Sequence, residues 1–309
     1  MSDKKIILVA GATGAQGGSV AKALLAKNKF KVRVLTRNPA SAADIALQRK
    51  GAEVVQGDLD NRESLASAIK DVYGVFGVTS FWEHFGKEYQ HGINLVDAVH
   101  EAGVKHFVFS TLDNYQVLSK GQYSVPHYDM KAVLEDYTKN LGVPASFVRM
   151  SFYYEAFLNF FPPTIGEDRS YYFGFPQGNT RLAAVSVEDL GGVVTSVFDR
   201  PEEYIGKAVR VVGADITPAE YAATMSRVLN KNIFYNHVPR DVFASYGFPG
   251  AEDLANMFEV QRLYVPERKA DMLESYRLNP TIQTFENWVG KNRMKFIELF
   301  NSQFQAMVI

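Results

Sequence analysis

The first 150 residues alternate short apolar runs with longer segments of helical period, and this alternation constrains the fold more than any other feature. Several runs are apolar on both faces, as strands inside a parallel sheet are. The predicted strands lie at 6–10, 31–35, 53–56, 73–78, 106–110 and 145–150. The predicted helices lie at about 15–28, 39–50, 61–70, 84–102 and 125–141. This rhythm predicts an α/β fold with a doubly wound parallel sheet of the Rossmann type.

Local signals mark several helix ends. Asn38 followed by Pro39 predicts an N-cap before a proline at the first helical position. Gly103 and Gly142 stand where helices should end in the left-handed conformation.

The second half is richer in aromatic residues, and the strict alternation ends near residue 150. Helices are predicted from a capping box that starts at Thr217 and from a second start near Ser186. The apolar runs at 209–212 and 233–235 are predicted to return to the first sheet. We therefore expect a first domain at 1–150, with return segments within about 181–214 and 230–240. Residues 151–309 should form a smaller, mostly helical and discontinuous lobe.

Composition excludes several classes of protein. The 33 basic and 34 acidic residues give a net charge of -1, so the basic excess that binds a phosphate backbone is absent. The absence of cysteine excludes disulfides, thiolate metal sites and cysteine nucleophiles. The six histidines show no metal-ligand spacing, so no metal site is expected. No apolar run is long enough to span a membrane and the first residues do not resemble a signal peptide, so we expect a cytoplasmic protein.

A glycine-rich segment follows the first strand and opens the first helix. It reads Gly11, Ala12, Thr13, Gly14, Ala15, Gln16 and Gly17. The first glycine would allow a tight exit from the strand, the second a close approach to a pyrophosphate, and the third close packing of helix on sheet. The alternative is a glycine-rich turn without a ligand, but the position between strand and helix favours dinucleotide binding.

Arg37 follows the second strand, where NAD-preferring sites usually carry an acidic residue. A guanidinium there could pair with the 2′-phosphate of NADP, so the sequence favours NADP over NAD. The alternative is an ordinary surface arginine. Asp58, after the third strand, could accept a hydrogen bond from adenine or could cap the next helix, for which Asp60 and Asn61 compete.

The glycine segment, the residues at 36–39 and 51–58, and the late segment at 247–257 together resemble the NmrA-like family of atypical short-chain dehydrogenase/reductase proteins. The resemblance reaches about residue 290 and is closest to the NADP-sensing type. It implies pyrophosphate binding by residues 11–16, 2′-phosphate binding by Arg37, and Asp58 and Leu59 around the adenine. It also implies further cofactor contacts from Thr79, Ser80, Phe81, Gln90, Lys131, Tyr153, Tyr154, Glu155 and Ala156. Gln90 stands where a relative has a lysine, and Ala156 replaces an asparagine.

Catalytic short-chain dehydrogenases pair a tyrosine with a lysine four residues later, and the lysine lowers the pKa of the tyrosine. Here the residue four before Lys131 is His127, and Tyr128 is displaced by about 100° around a helix. His127 could donate a proton, or it could be an ordinary partly buried histidine. Ser110 and Thr111 could assist chemistry at the end of the fifth strand, or could simply end that strand.

Two functions remain open. The first is a redox-sensing regulator that binds NADP(H), orders segments near 79–91 and 152–160, and acts through a protein partner in the cytoplasm and the nucleus. The second is an NADPH-dependent reductase of quinones or small carbonyl compounds, with Lys131 and His127 as candidate catalytic residues. Under either hypothesis the protein would be a monomer or a homodimer. The aromatic residues near 152–161 would form core between the lobes, or part of a pocket wall.

Overall fold

A computed structural model describes residues 4–83 and 86–308, in which thirteen strands and fifteen α-helices are found. The strands are β1 Ile6–Val9, β2 Lys31–Thr36, β3 Glu53–Gln56, β4 Gly74–Gly77, β5 His106–Thr111, β6 Ala145–Met150, β7 Phe152–Tyr153, β8 Thr164–Ile165, β9 Tyr171–Phe175, β10 Leu182–Val185, β11 Ala208–Val211, β12 Ala214–Ile216 and β13 Ile233–His237. The helices are α1 Ala15–Lys27, α2 Ala42–Arg49, α3 Arg62–Ile69, α4 Glu88–Glu101, α5 Tyr115–Leu118, α6 Pro126–Asn140, α7 Ala156–Asn159, α8 Leu190–Asp199, α9 Pro201–Tyr204, α10 Pro218–Leu229, α11 Arg240–Ala244, α12 Ala251–Tyr264, α13 Lys269–Leu278, α14 Phe285–Lys291 and α15 Arg293–Val308.

Seven strands form a central parallel sheet in the order β11-β6-β5-β4-β1-β2-β3. The chain builds outward from β1 through β2 and β3, then crosses to β4 on the other side of β1. The order of the strands therefore reverses between β1 and β4, and the crevice at their carboxyl ends is the usual ligand site of such sheets. The prediction of a doubly wound parallel sheet is confirmed.

Both faces of the central sheet are covered by helices. On one face, side chains of α1 and α8, including Val20, Leu24 and Val193, pack against β1 and β2. On the other face, α3, α4 and α6 pack against the sheet, and Leu95 of α4 and Leu134 of α6 lie in the core between these helices and the strands. This double burial explains why the strands are apolar on both faces.

One of the two predicted return strands joins the central sheet. β11 extends it, with Val209 paired to Val148 of β6. The prediction for 233–235 was wrong, because β13 pairs in parallel with β9, in the register Ile233 to Tyr171. The Tyr235 ring of β13 lies within 5.6 Å of the Phe173 ring and 5.3 Å of the Phe175 ring, so aromatic packing holds this strand in the second lobe.

The second lobe contains two three-stranded sheets as well as helices. Their orders are β12-β10-β7 and β13-β9-β8. Its core is aromatic: Phe157, Phe175, Phe258 and Trp288 are almost fully buried and pack together with their neighbours. The aromatic cluster predicted near 152–161 therefore belongs mainly to this core, although Phe160 is exposed.

Most of the predicted helix ends hold. Gly103 and Gly142 have φ of 60° and 68°, and the capping box at Thr217 is present. The prediction that Asn38 caps the second helix was wrong. α2 begins at Ala42 after Ser41, whose side chain accepts a hydrogen bond from the Asp44 N–H, while Asn38 closes a turn with the Ala40 N–H.

Among the described residues, the search for membrane spans finds no helix that combines the length and the apolar character needed to cross a bilayer.

Candidate functional site

The glycine-rich segment forms a tight loop between β1 and α1. Gly11 has φ of 64°, and its carbonyl accepts a hydrogen bond from the Gly14 N–H at 2.9 Å. A β-carbon on Gly17 would overlap the Gly11 carbonyl, so only glycine allows this approach of helix to loop. α1 begins without a side-chain cap and without an acidic residue in its first turn. Its N-terminal amides therefore present a partial positive charge that suits an anion.

Arg37 lies immediately after β2 and is exposed. Its carbonyl accepts a hydrogen bond from Gln56 Nε2 at 3.5 Å. Within residues 4–83 and 86–308, its guanidinium forms no ion pair with an acidic side chain. A cation in this state can pair with an anionic group of a ligand.

Asp58 does not cap α3, because the side chain of Asn61 performs that role. Asp58 Oδ1 instead accepts the Asp60 N–H at 3.0 Å within a local turn. The carbonyl of Leu59 accepts a hydrogen bond from Asn94, which also accepts one from Gln90 Nε2 at 2.9 Å. Hydrogen bonds thus link the Asp58–Leu59 turn to α4.

Lys131 is held at the end of β4 by three acceptors. Its Nζ donates to the Thr79 carbonyl at 2.9 Å, to Thr79 Oγ1 at 3.0 Å and to Glu88 Oε1. Glu88 is 1% exposed and also accepts a hydrogen bond from Thr79 Oγ1. An ammonium group has three N–H donors, and all three are used here. Glu88 was not predicted from the sequence, because it is 43 residues from Lys131 and belongs to no motif.

His127 pairs with a carboxylate of the second lobe. Its Nδ1 lies 2.6 Å from Asp253 Oδ1, and both residues are largely buried. The imidazole is bordered by the rings of Phe81 and Trp82, at 6.0 Å and 5.2 Å between ring centres. A β-carbon on Gly250 would overlap the Trp82 indole. The late segment at 247–257 therefore packs against the loop that follows β4.

Tyr128 lies beside this pair, with its ring edge-on to the His127 imidazole at 4.8 Å between ring centres. Its ring lies 4.2 Å from that of Tyr115, and burial raises the pKa of Tyr128 to about 12. It is therefore a poor proton donor or acceptor near neutral pH.

Gln16 connects the two lobes across the edge of the sheet. Its Oε1 accepts a hydrogen bond from Ser110 Oγ at 2.7 Å, and its Nε2 donates one to the Tyr153 hydroxyl at 2.8 Å. Thr111 points elsewhere, since its hydroxyl donates to Glu135. Of the two residues at the end of β5, only Ser110 contacts the glycine-rich segment.

Only the first of the four residues at 153–156 directs its side chain to this edge. Tyr154 lies in the turn after β7 and is fully buried against Phe285 and Trp288. Glu155 accepts hydrogen bonds from Ser186 Oγ and the Val187 N–H, and Ala156 begins α7 as a buried residue. The cofactor contacts predicted for Tyr154, Glu155 and Ala156 stay predictions.

The remaining predicted site residues lie in the loop after β4 and on α4. Ser80 and Phe81 are half-buried in the loop after β4, and Gln90 is exposed on α4. His84 and Phe85 lie outside the described residues. No group of three His, Cys, Asp or Glu side chains suited to a metal is found among the residues that are described.

Comparison with known proteins places this chain in a family. The model of the NmrA-like family matches residues 3–289. An NmrA-like family domain-containing oxidoreductase of Cladobotryum sp is 32% identical over 277 residues, which cover 82% of each chain. The chain belongs to the NmrA-like family. The resemblance found in the sequence is thereby confirmed.

Two solved structures share the fold of this chain. NmrA, a negative transcriptional regulator in complex with NADP, aligns with a TM-score of 0.77 at 21% identity and covers 94% of this chain and 95% of its own. An NADPH-dependent quinone oxidoreductase of Escherichia coli, complexed with NADPH, has a TM-score of 0.77 at 22% identity, with coverages of 93% and 99%. At this level of identity the likeness concerns the fold alone.

Proposed function

We propose that this NmrA-like protein binds NADP(H) and reports the redox state of the cofactor to a protein partner, in the cytoplasm and the nucleus. The observation that carries the proposal is the state of Lys131. All three of its donors are used by Thr79 and Glu88, and no tyrosine lies four residues before it. The tyrosine–lysine pair in which the lysine lowers the pKa of the tyrosine in catalytic short-chain dehydrogenases is therefore absent at this position.

Cofactor binding is supported by two features of the crevice. The uncapped start of α1 suits the pyrophosphate, and the guanidinium of Arg37, which pairs with no acidic side chain among the described residues, suits a 2′-phosphate. NmrA has been solved with NAD and with NADP, and the quinone oxidoreductase described above with NADPH.

The connection through Gln16 supplies a route for the response to cofactor binding. A pyrophosphate at the start of α1 would compete for the Gln16 amide, which now links Ser110 of the first domain to Tyr153 of the second lobe. Loss of that link would change the contacts between the lobes, and a partner that binds one arrangement better than the other would read the change.

Hydrogen exchange tests this proposal. Exchange is measured for the free protein and for the protein saturated with NADP+ or with NADPH. The expected result is protection at 79–91 and 152–160 on binding, to a different degree for the two redox forms. Binding without any difference between the redox forms would contradict redox sensing, since no partner could then distinguish them.

The pair of His127 and Asp253 favours a second candidate, an NADPH-dependent reductase of quinones or small carbonyl compounds. A carboxylate on Nδ1 fixes the orientation of an imidazole and leaves Nε2 to exchange a proton with a substrate. Bound NADPH would supply the hydride to the substrate, and His127 would supply the proton to the substrate oxygen.

An absorbance assay separates the two candidates. NADPH oxidation is followed with menadione and other quinones for the wild type, His127→Ala and Lys131→Ala. The reductase predicts turnover that falls at least tenfold in His127→Ala. Absence of turnover in the wild type would favour the sensor, and turnover that survives both substitutions would exclude this mechanism.

A further inference from the structure

Asp44 is a buried acid beside the loop that carries Arg37. It lies in the first turn of α2 and is 1% exposed. Its Oδ2 accepts hydrogen bonds from Thr36 Oγ1 at 2.8 Å and from Ser41 Oγ at 2.6 Å. One carboxylate oxygen thus joins the last residue of β2 to the residue that caps α2.

The same hydrogen bonds fix the backbone on both sides of Arg37. Thr36 Oγ1, which donates to Asp44, also accepts the Asn38 N–H at 3.2 Å. The Asn38 carbonyl in turn accepts the Ser41 N–H at 3.0 Å. Thr36, before Arg37, is therefore bonded directly to the Asp44 carboxylate, and Asn38, after Arg37, is connected to it through Thr36 Oγ1.

An acid in the first turn of α2 interacts favourably with the N-terminal amides of that helix, but the burial of Asp44 opposes this gain. Asp44 Oδ1 is buried and accepts no hydrogen bond from any residue in the described part of the chain. Nor does a basic side chain there form an ion pair with it. Burial of a carboxylate without a cation is unfavourable, and Ser41 caps α2 with its own hydroxyl.

We propose that Asp44 is a positioning residue for cofactor selection, which fixes the 36–41 loop so that Arg37 is presented to the 2′-phosphate of NADP. This inference rests on the proposed binding of NADP(H). Asp44 is itself too buried to touch the cofactor, so it acts through the backbone of Arg37. A long side chain loses less freedom on binding when its backbone is already fixed, and the gain appears in affinity.

The inference predicts a change in selectivity rather than a general loss of binding. NADP+ and NAD+ are titrated against the wild type, Asp44→Ala, Thr36→Val and Asp44→Asn. We expect Asp44→Ala and Thr36→Val to weaken NADP+ binding by about 3- to 10-fold and to leave NAD+ binding within about twofold. Asp44→Asn keeps an acceptor oxygen for both hydroxyls and should restore most of the preference.

Ser41→Ala is the matched control. It removes the cap of α2 and one donor to the same carboxylate but leaves the link to Thr36. It should lower the melting temperature and preserve the ratio of the two affinities. If Asp44→Ala does not fold, Thr36→Val carries the test, because it removes only one hydroxyl.

The outcomes separate this inference from the proposed function. A wild type without preference for NADP+ would overturn the choice of cofactor and the inference with it. A wild type that prefers NADP+, with the preference intact in Asp44→Ala and Thr36→Val, would overturn the role of Asp44 alone. Equal losses for the two nucleotides would also overturn it, since they would indicate a merely structural role.

Discussion

Arg37 is the residue through which the chain would distinguish NADP from NAD. This role was predicted from the sequence, because a basic residue stands directly after β2, where NAD-preferring sites usually carry an acidic one. The hydrogen bonds that hold its loop were not predicted, since Thr36 and Asp44 are eight residues apart and form no known motif.

Arg37→Ala should weaken NADP+ binding by about 10- to 100-fold, because it removes charge-assisted hydrogen bonds to the 2′-phosphate. NAD+ binding should change by less than about threefold, since NAD+ lacks that phosphate. Isothermal titration with both nucleotides measures the effect, and Arg49→Ala, which changes an exposed arginine at the end of α2, is the control. Equal losses for both nucleotides would exclude Arg37 as the discriminating residue.

Gly17→Ala tests the packing of α1 on the glycine-rich loop. Its β-carbon would overlap backbone atoms of Gly11 and Ala10, so we expect a loss of about 1–3 kcal/mol in the free energy of unfolding. Gly290→Ala, in α14, is the matched control because its β-carbon meets no atom within 4 Å. It should gain up to about 1 kcal/mol from helix propensity. Urea unfolding measures both, and a neutral Gly17→Ala would contradict the close approach.

Among the elements, sequence periodicity predicted the six strands of the first half and β11 but misplaced β13. Strands that are buried on both faces form continuous apolar runs, which can be recognised in the sequence. The pairing of β13 depends instead on contacts of Tyr235 with Phe173 and Phe175, which are remote in sequence. The same reason explains the missed partners Glu88 and Asp253. Glu88 contacts Lys131 and Asp253 contacts His127 from helices that are remote in sequence, and no local sequence pattern predicts such contacts.

The Lys131–Glu88 pair joins α6 to α4. Glu88→Gln should lower the free energy of unfolding by about 3–5 kcal/mol, because it removes one partner of a buried ion pair. Glu101→Gln is the control, since Glu101 forms an exposed pair with Arg62 that should contribute less than about 1 kcal/mol. Similar losses in the two variants, measured by urea unfolding, would contradict a buried ion pair at Lys131.

His106, at the start of β5, should make stability depend on pH. Burial lowers the pKa of His106 from 6.5 to about 4, so the folded protein keeps it neutral where the unfolded chain binds a proton. Stability is therefore lost as the pH falls from about 6.5 towards 4. Between pH 7 and pH 5, the wild type should lose about 2 kcal/mol more than His106→Gln.

Comparison with the variant is needed because burial raises the pKa of Asp189 to about 6. That carboxyl group contributes stability at low pH which is lost as the pH rises through about 4 to 6, in the opposite direction to His106. Parallel pH profiles for the wild type and His106→Gln, measured by urea unfolding, would contradict a neutral buried imidazole.

On the scale of the whole molecule, the crevice lies where an α/β sheet binds a ligand, and the second lobe supplies groups to the same edge. Asp253 reaches His127 and Tyr153 reaches Gln16, so the state of the crevice and the contact between the lobes are connected. The net charge of -1 is consistent with this arrangement, because one arginine and the amides of α1 can serve the phosphates of a dinucleotide without a broad basic surface.

The absence of cysteine limits the ways in which this chain could respond to a change in redox state. A redox response in this chain cannot involve thiol oxidation, and the carrier that we propose for it is the bound nicotinamide. The near-neutral charge also favours a protein partner over nucleic acid.

NADP(H) recognition is tested most directly by a titration of one preparation of the protein with NADP+, NADPH, NAD+ and NADH. The structure of the Arg37 loop predicts that the two phosphorylated nucleotides bind at least about tenfold more tightly than the two others at the same salt concentration. Equal affinities for all four nucleotides, or no binding of any of them, would contradict NADP(H) recognition by this crevice.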